Sequence, residues 1–173
     1  MNLESFGPDG AYETRLLSPP DLRDLQSLFD RCADYFTVAT GAPAHSEEAQ
    51  RAFVAGPPSK SVDDKRVIGV FRNENLVGVI DALVDWPERG VWSLGMFMLD
   101  PEHRNKGLGS QLMTAFEAWC SENGACSFRT AIVTHHDAGV RFLERSGYTP
   151  ERTVDGYNAG SQVYSIRFFT KHA

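Results

Sequence analysis

Arg104-Asn105-Lys106-Gly107-Leu108-Gly109, followed by Ser110, is the stretch whose residue types and spacing most directly imply chemistry. Upstream, the apolar run 92–99 is stopped by Asp100-Pro101; downstream, Leu108, Leu112, Phe116 and Trp119 recur at helical spacing. The pattern predicts a helix that starts at the glycines. The first turn of a helix has N–H groups without intrahelical partners and carries the positive end of the dipole, so it attracts phosphate. Gly107 and Gly109 lack the Cβ that would hold an anion off, Ser110 adds a hydroxyl, and Arg104 and Lys106 add charge. Two other phosphate loops are excluded: no lysine followed by Ser or Thr comes after the second glycine, and the three-glycine dinucleotide pattern is missing.

The elements that must hold this turn read as follows. Residues 12–17 form a strand, Ser18-Pro19-Pro20-Asp21 stops it and starts a helix, and Leu22, Leu25, Leu28, Phe29 and Cys32 mark one helical face that ends near 33–36. A turn at 40–43 precedes a second, polar helix over 46–54. Residues 67–72 and 76–85 make a hairpin across Asn73-Glu74-Asn75, and 86–90 turns the chain into the strand that leads to the glycines. After the glycine-started helix come a stop at Glu122-Asn123-Gly124, a strand over 128–133, a helix over 137–146, and strands 148–155 and 162–169 across 156–160. The sum is an α/β (α+β) fold with about seven mostly antiparallel strands and four helices. Three antiparallel strands before the phosphate helix are unlike a doubly wound nucleotide fold.

Composition narrows the partners. The 173 residues with 42% hydrophobic content suit one domain spanning 1–173, with residues 1–10 a loose tail. A formal net charge of −6 argues against a nucleic-acid surface, so Arg104 and Lys106 read as a local site, and a cationic substrate fits better. Cys32, Cys120 and Cys126 show no paired ligand spacing and read as buried free thiols. No apolar run reaches membrane-span length, and Glu4 and Asp9 do not suit a signal peptide, which points to the cytoplasm and away from a membrane partner. His135-His136-Asp137 makes a poor metal site, so no metal is expected and His136 reads as helix-capping or cofactor-facing. His45, His103 and His172 read as surface residues.

The segment 104–109 resembles the Arg/Gln-x-x-Gly-x-Gly/Ala signature of the GNAT acetyltransferases. Phe142-Leu143-Glu144-Arg145-Ser146-Gly147-Tyr148 resembles that family's helix ending of the type Phe/Leu-Tyr-Glu-Lys-Leu-Gly-Phe, and the element order is the family's. The resemblance implies that residues 104–110 grip the pyrophosphate of acetyl-CoA and that His136 stands in for a frequent asparagine near the cofactor. It further implies a sheet splayed between the cradle strand and 128–133, with pantetheine between them against Phe97, Met98 and Leu99. The backbones of Phe97 and Leu99 would pair with that arm and, near the splay, polarise the acetyl carbonyl, a catalytic part that falls to Leu99.

Two positions depart from the family. Leu143 replaces a frequent tyrosine that protonates the leaving thiolate, and Ser93 replaces a frequent carboxylate. Cys120 and Cys126 read as packing residues, so transfer is expected by direct attack of an amine in a ternary complex. Candidates for the acceptor side are Asp81 and Asp85, an even number apart and so on one strand face, together with Glu88 and Tyr35. Asp81 is the candidate proton acceptor; Tyr35, Asp81 and Asp85 are the candidate substrate residues. The expected activity is N-acetylation of a primary amine, with a small molecule preferred over a protein or peptide. A non-catalytic acyl-CoA sensor and a transferase for longer acyl groups stay open, and a homodimer is compatible with each.

Overall fold

The computed structural model describes residues 1–7, 9–159 and 162–173. Among these residues eight strands form one sheet: β1 Leu3–Phe6, β2 Tyr12–Leu16, β3 Lys65–Arg72, β4 Asn75–Leu83, β5 Val91–Leu99, β6 Ser127–Val133, β7 Thr149–Ala159 and β8 Gln162–His172, in the order β1-β2-β3-β4-β5-β6-β8-β7. Every neighbouring pair is antiparallel except β5 and β6, which run parallel and are joined through a helical crossover. The helices are α1 Leu22–Arg31, α2 Ala33–Thr40, α3 Glu48–Val54, α4 Leu108–Glu122 and α5 Asp137–Arg145.

Three sequence expectations change. The expected loose tail carries β1, an edge strand on β2, with Met1 buried. Where the first helix was expected to fray, the chain turns at Cys32 and continues as α2, ended by Gly41 at φ 82, so the described residues hold five α-helices and not four. Gly156, expected in the last turn, sits at φ 76 inside a register shift that lets β7 run on to Ala159; Gly160 lies outside the described residues. The expected β3–β4 hairpin forms with a turn one residue shorter: Asn75 opens β4, and Asn73 and Glu74 both take positive φ, the backbone of a two-residue hairpin loop.

Apolar side chains occupy both faces of the sheet. α4 and α5 cover one, closing over Ile80, Leu94, Phe128 and Phe169 with Leu112, Phe116 and Leu143. α1, α2 and α3 cover part of the other, where Leu25, Leu28, Phe29 and Phe36 pack on Val67, Val79 and Met98. Phe29, Phe116, Phe128 and Phe169 are almost wholly removed from water, each worth about 2 kcal/mol of apolar burial.

One irregularity decides what β5 presents. Between Asp81↔Met96 and Ala82↔Leu94 the register slips, which leaves Gly95 as an extra residue in β5. Side chains in a strand alternate, so one inserted residue reverses the faces beyond it. Trp92 and Leu94 therefore join the α4/α5 side with Phe97 and Leu99, whereas Met96 and Met98 go to the α1–α3 side.

Candidate functional site

β5 and β6 pair only from Val91↔Ser127 to Leu94↔Thr130. Past Leu94 the two strands separate, so residues 95–99 and 131–133 border a fork that opens toward α4. Asp100 donates its amide to Val77 O at 2.8 Å, which by strand alternation turns the backbone of Met98 toward β4 and those of Phe97 and Leu99 toward the fork. Met98, expected among the cofactor residues, points its side chain into the core and its backbone at β4, and so presents neither to the fork.

The fork leads to the glycine turn. Asp100 caps a short 3-10 turn by accepting from the Glu102 amide at 3.1 Å and takes the Arg31 guanidinium at 2.5 Å, so the loop leaves the sheet from a fixed point. Asn105 at φ 59 and Gly107 at φ 82 then bend the backbone so that successive amides converge ahead of α4. The first intrahelical bond runs from Gln111 N to Gly107 O at 3.3 Å, which leaves the amides of Leu108, Gly109 and Ser110 without an intrahelical acceptor. A Cβ at Gly107 would meet nothing within 4 Å, so the space over this turn is open.

A Cβ at Gly109 would point inward, in ordinary contact 3.5 Å from the Phe142 ring and 3.8 Å from Leu99, so this glycine faces α5 and β5, while Gly107 faces open space. Phe142 in turn stacks on Phe97, centroids 5.4 Å apart with planes 28° off parallel, and the pair floors the fork.

Arg104 is less free than its sequence suggested. Its Nε donates to Leu99 O at 2.7 Å and its Nη atoms grip both carboxylate oxygens of Asp34 on α2. The guanidinium thus stiffens the turn and ties it to α2, and Asp34 is held below the usual carboxylate range mainly by this contact. Lys106 folds back to Glu102 O at 2.7 Å and stays exposed. His136 is the N-cap of α5: its Nδ1 accepts from the Gly139 amide at 3.1 Å, and burial lowers its pKa, which favours the neutral, accepting ring.

On the α1–α3 side of the fork, the structure brings together two of the four acceptor-side candidates, Asp81 and Tyr35. Asp81 sits on β4 with its carboxylate beside Gly95: the three nearest atoms to a Cβ at Gly95 would all belong to Asp81, at 3.6–3.9 Å. Burial raises the Asp81 pKa, and Lys65, whose Nζ lies 3.0 Å from Oδ2, opposes the rise. Tyr35 of α2 lies within the field of that carboxylate; burial first and then Asp81 push its hydroxyl up to about 12. Asp85 does not join them. β4 ends at Leu83, and Asp85 turns at φ 52 to accept from the Gly90 amide at 2.7 Å. Glu88 lies exposed in the same turn, and the Ser93 hydroxyl donates to Trp86 O at 2.8 Å.

The thiols and histidines sort as packing predicts, with two exceptions. Cys32 and Cys120 are buried and their thiols are pushed up, Cys32 to about 11, by desolvation. Cys126 was expected buried but is exposed, because it follows the Gly124 turn before β6 begins. His103 was expected on the surface but bonds Tyr12 Oη at 2.9 Å, since β2 lies close to the 3-10 turn.

Sequence reasoning missed Asp34, Lys65, Gly95 and Phe142 as parts of the site. Asp34 and Arg104 are 70 residues apart, with no local pattern joining them. Gly95 carried the one available signal: an isolated glycine inside a strand pattern marks a bulge.

A fork ending at an open glycine turn ahead of a helix is a place for an extended, phosphate-bearing ligand. The acetyltransferase (GNAT) family model matches residues 23–148. The chain belongs to the acetyltransferase (GNAT) family. It is accordingly an acetyl-CoA-dependent acyltransferase. None of the curated proteins matches the chain. Among solved structures, an acetyltransferase from Thermus thermophilus is similar, with 18% identity, 99% of this chain and 100% of that one covered, and a TM-score of 0.76. A Salmonella typhimurium acetyl transferase that modifies the N-terminal serine of the 50S ribosomal protein L7/L12 has 14% identity, 94% and 95% coverage and a TM-score of 0.75. A ribosomal L7/L12 alpha-N-protein acetyltransferase in complex with coenzyme A has 13% identity, 99% and 98% coverage and a TM-score of 0.74. These likenesses support the fold.

The residues present fit coenzyme A: unpaired amides at Leu108, Gly109 and Ser110, open space at Gly107, and strand backbone facing the fork at Phe97 and Leu99. Among the described residues no helix is long and apolar enough to cross a membrane.

Proposed function

We propose that this chain transfers the acetyl group of acetyl-CoA to the primary amine of a small molecule, by direct attack within a ternary complex. The observation that carries the reading is the Asp81 carboxylate beside Gly95 at the base of the fork. Acetyl-CoA supplies the activated acyl carbon as a thioester. The amides at the start of α4 would hold its diphosphate, with Arg104 ordering the turn and not gripping the anion itself. The free N–H groups of β5 would hold the extended arm and polarise the acetyl carbonyl. Leu99 was the expected donor, but it lies five residues past the last β5–β6 pair, and Phe97, nearer the fork's base, is the donor in this proposal.

Asp81 would bind the ammonium group and accept its proton, with the Tyr35 ring as the apolar wall beside it. Direct attack is supported by the thiols: Cys32 is pushed up to about 11 and donates toward Leu99 O at 3.6 Å, which suits packing and not acyl transfer. The free thiols fit a reducing compartment, and a cytoplasmic setting is part of the proposal.

A second acceptor class has specific support. Two structurally similar proteins act on the ribosomal protein L7/L12, so a protein N-terminus is the competing acceptor. The test is thiol release from acetyl-CoA across a panel of small primary amines and short peptides. Turnover is expected with a small amine, falling by about 100-fold or more in Asp81→Asn, the size of a lost general base. Turnover with peptides alone would transfer the assignment to the second class. Coenzyme binding with no turnover on any acceptor would overturn both and favour a sensor, the reading to which Leu143 and Ser93 lend support.

A further inference from the structure

The buried cation next to Asp81 has no place in the cofactor chemistry just described. Lys65 opens β3, and the register Val67↔Asp81 makes Lys65 and Asp81 diagonal neighbours on the α1–α3 face. A lysine is long enough to cross that diagonal. Its Nζ donates to Asp81 Oδ2 at 3.0 Å and to Ala55 O, just past the end of α3, at 2.7 Å. The Lys65 side chain is only 8% exposed and that of Asp81 16%, so neither charge is there for solubility. Burying two charges gains little for stability alone, since an apolar pair of similar size often serves as well.

We propose that Lys65 is a positioning residue for acetyl transfer: its ammonium, anchored on Ala55 O, orients the Asp81 carboxylate toward Gly95 and compensates its burial there. The inference rests on the amine-acetylation reading above. A carboxylate has room for several donors, so one bond from Lys65 leaves acceptor capacity for an incoming ammonium. The proton balance is simple. The acceptor ammonium gives one proton to the Asp81 carboxylate, the freed amine forms the C–N bond as the C–S bond breaks, and the second proton, shed by the new amide nitrogen, passes through water to the thiolate. Asp81 then returns its proton to solvent.

The groups that face Asp81 support this division. From β3 comes Lys65; from α2 comes Tyr35, whose hydroxyl stays neutral because burial and Asp81 itself hold it at about 12. From β5 the neighbouring Ser93 hydroxyl is turned to Trp86 O. Lys65 is therefore the charged group that opposes the upward push of burial on the Asp81 pKa. Without it the carboxyl would protonate at a higher pH, and the acid limb of the rate profile would move with it.

The test uses Lys65→Gln, which keeps a donor for Ala55 O and Asp81 but no charge, and Lys65→Arg, which keeps the charge. The two readouts are the midpoint of the Asp81 carboxyl resonance in a carbon-13 NMR titration, and the acid limb of kcat/KM with an amine that the acceptor panel identifies as a substrate. Lys65→Gln is expected to raise both by about one pH unit or more, while the rise in melting temperature with acetyl-CoA is retained; Lys65→Arg is expected to stay within about half a unit of the native protein. An Asp81 midpoint that does not move in Lys65→Gln overturns the proposal. So does a moved midpoint with an unmoved acid limb. If the Gln variant does not fold, a native Asp81 midpoint above neutrality overturns it and one below neutrality sustains it. Should no amine be a substrate, the functional reading fails while the NMR titration still decides what Lys65 does to Asp81.

Discussion

Arg104 and Asp34 clasp one another across 70 residues, one from the glycine turn and the other from the first turn of α2, with the second oxygen of Asp34 at 3.2 Å from Nη2. The same guanidinium keeps its Nε on Leu99 O. Loss of Arg104 therefore removes an internal brace, and Arg104→Ala is expected to weaken acetyl-CoA binding by about tenfold, the worth of a charged hydrogen bond to the turn. Asp34→Asn removes a negative charge beside the proposed phosphate site and leaves the brace, so it is expected to tighten binding by up to about fivefold, the scale of an exposed ion pair. Calorimetric titration of both variants with acetyl-CoA checks the pair; equal losses in the two would mean the clasp itself, and not the Leu99 brace, forms the site.

The two glycines of the turn are expected to fail differently. Gly107 has φ 82 and open space around it, so Gly107→Ala puts strain of about 1 kcal/mol into the fold and a methyl group into the proposed phosphate space. Gly109 faces Phe142 at 3.5 Å, so Gly109→Ala is expected to leave acetyl-CoA binding nearly intact and Gly109→Leu to lower the melting temperature of the free protein. Melting curves with and without acetyl-CoA separate loss of binding from loss of fold.

His136 holds the Gly139 amide at the start of α5. An asparagine side chain does the same work at a helix N-terminus, so His136→Asn is expected to keep stability and turnover within about threefold, whereas His136→Ala should cost about 1 kcal/mol of stability. A fall of about 100-fold in the rate of His136→Asn, with cofactor affinity unchanged, would make the ring a proton carrier instead.

Asp21 links stability to acid. Its carboxyl is lowered to about 2, first by the hydrogen bonds from Arg15 and with help from Ser18. A depressed carboxyl stabilises the fold at pH values above its unfolded pKa, about 4, and loses that contribution as pH falls toward 2. Arg15 is half exposed, so solvent screens part of the effect. Asp21→Asn is expected to be less stable than the native protein at pH 6 and to show a flatter loss of stability between about pH 4 and 2, measured by urea unfolding at each pH. Parallel curves for the two proteins would show that the ion pair does not govern acid sensitivity.

What the amino-acid sequence determined by itself was local. Asp100-Pro101 and the glycines set where β5 stops and α4 starts, because a strand stop and a helix N-terminus are written in adjacent residues. The β3–β4 hairpin, the glycine turn and the order of the elements other than β1 and α2 were legible for the same reason. Tertiary structure decided what depends on register and on residues far apart in the chain. Asp81 and Asp85 looked like partners by their spacing, yet the end of β4 at Leu83 separated them and the β3–β4 register gave Asp81 to Lys65. Arg104 looked like a free phosphate ligand until α2, a helix that local periodicity did not resolve, brought Asp34 to it. The extra residue at Gly95 settled the rest: a one-residue shift in β5 reverses every side chain beyond it, turns Phe97 and Leu99 to the α4/α5 side, and leaves a niche over which the Asp81 carboxylate stands.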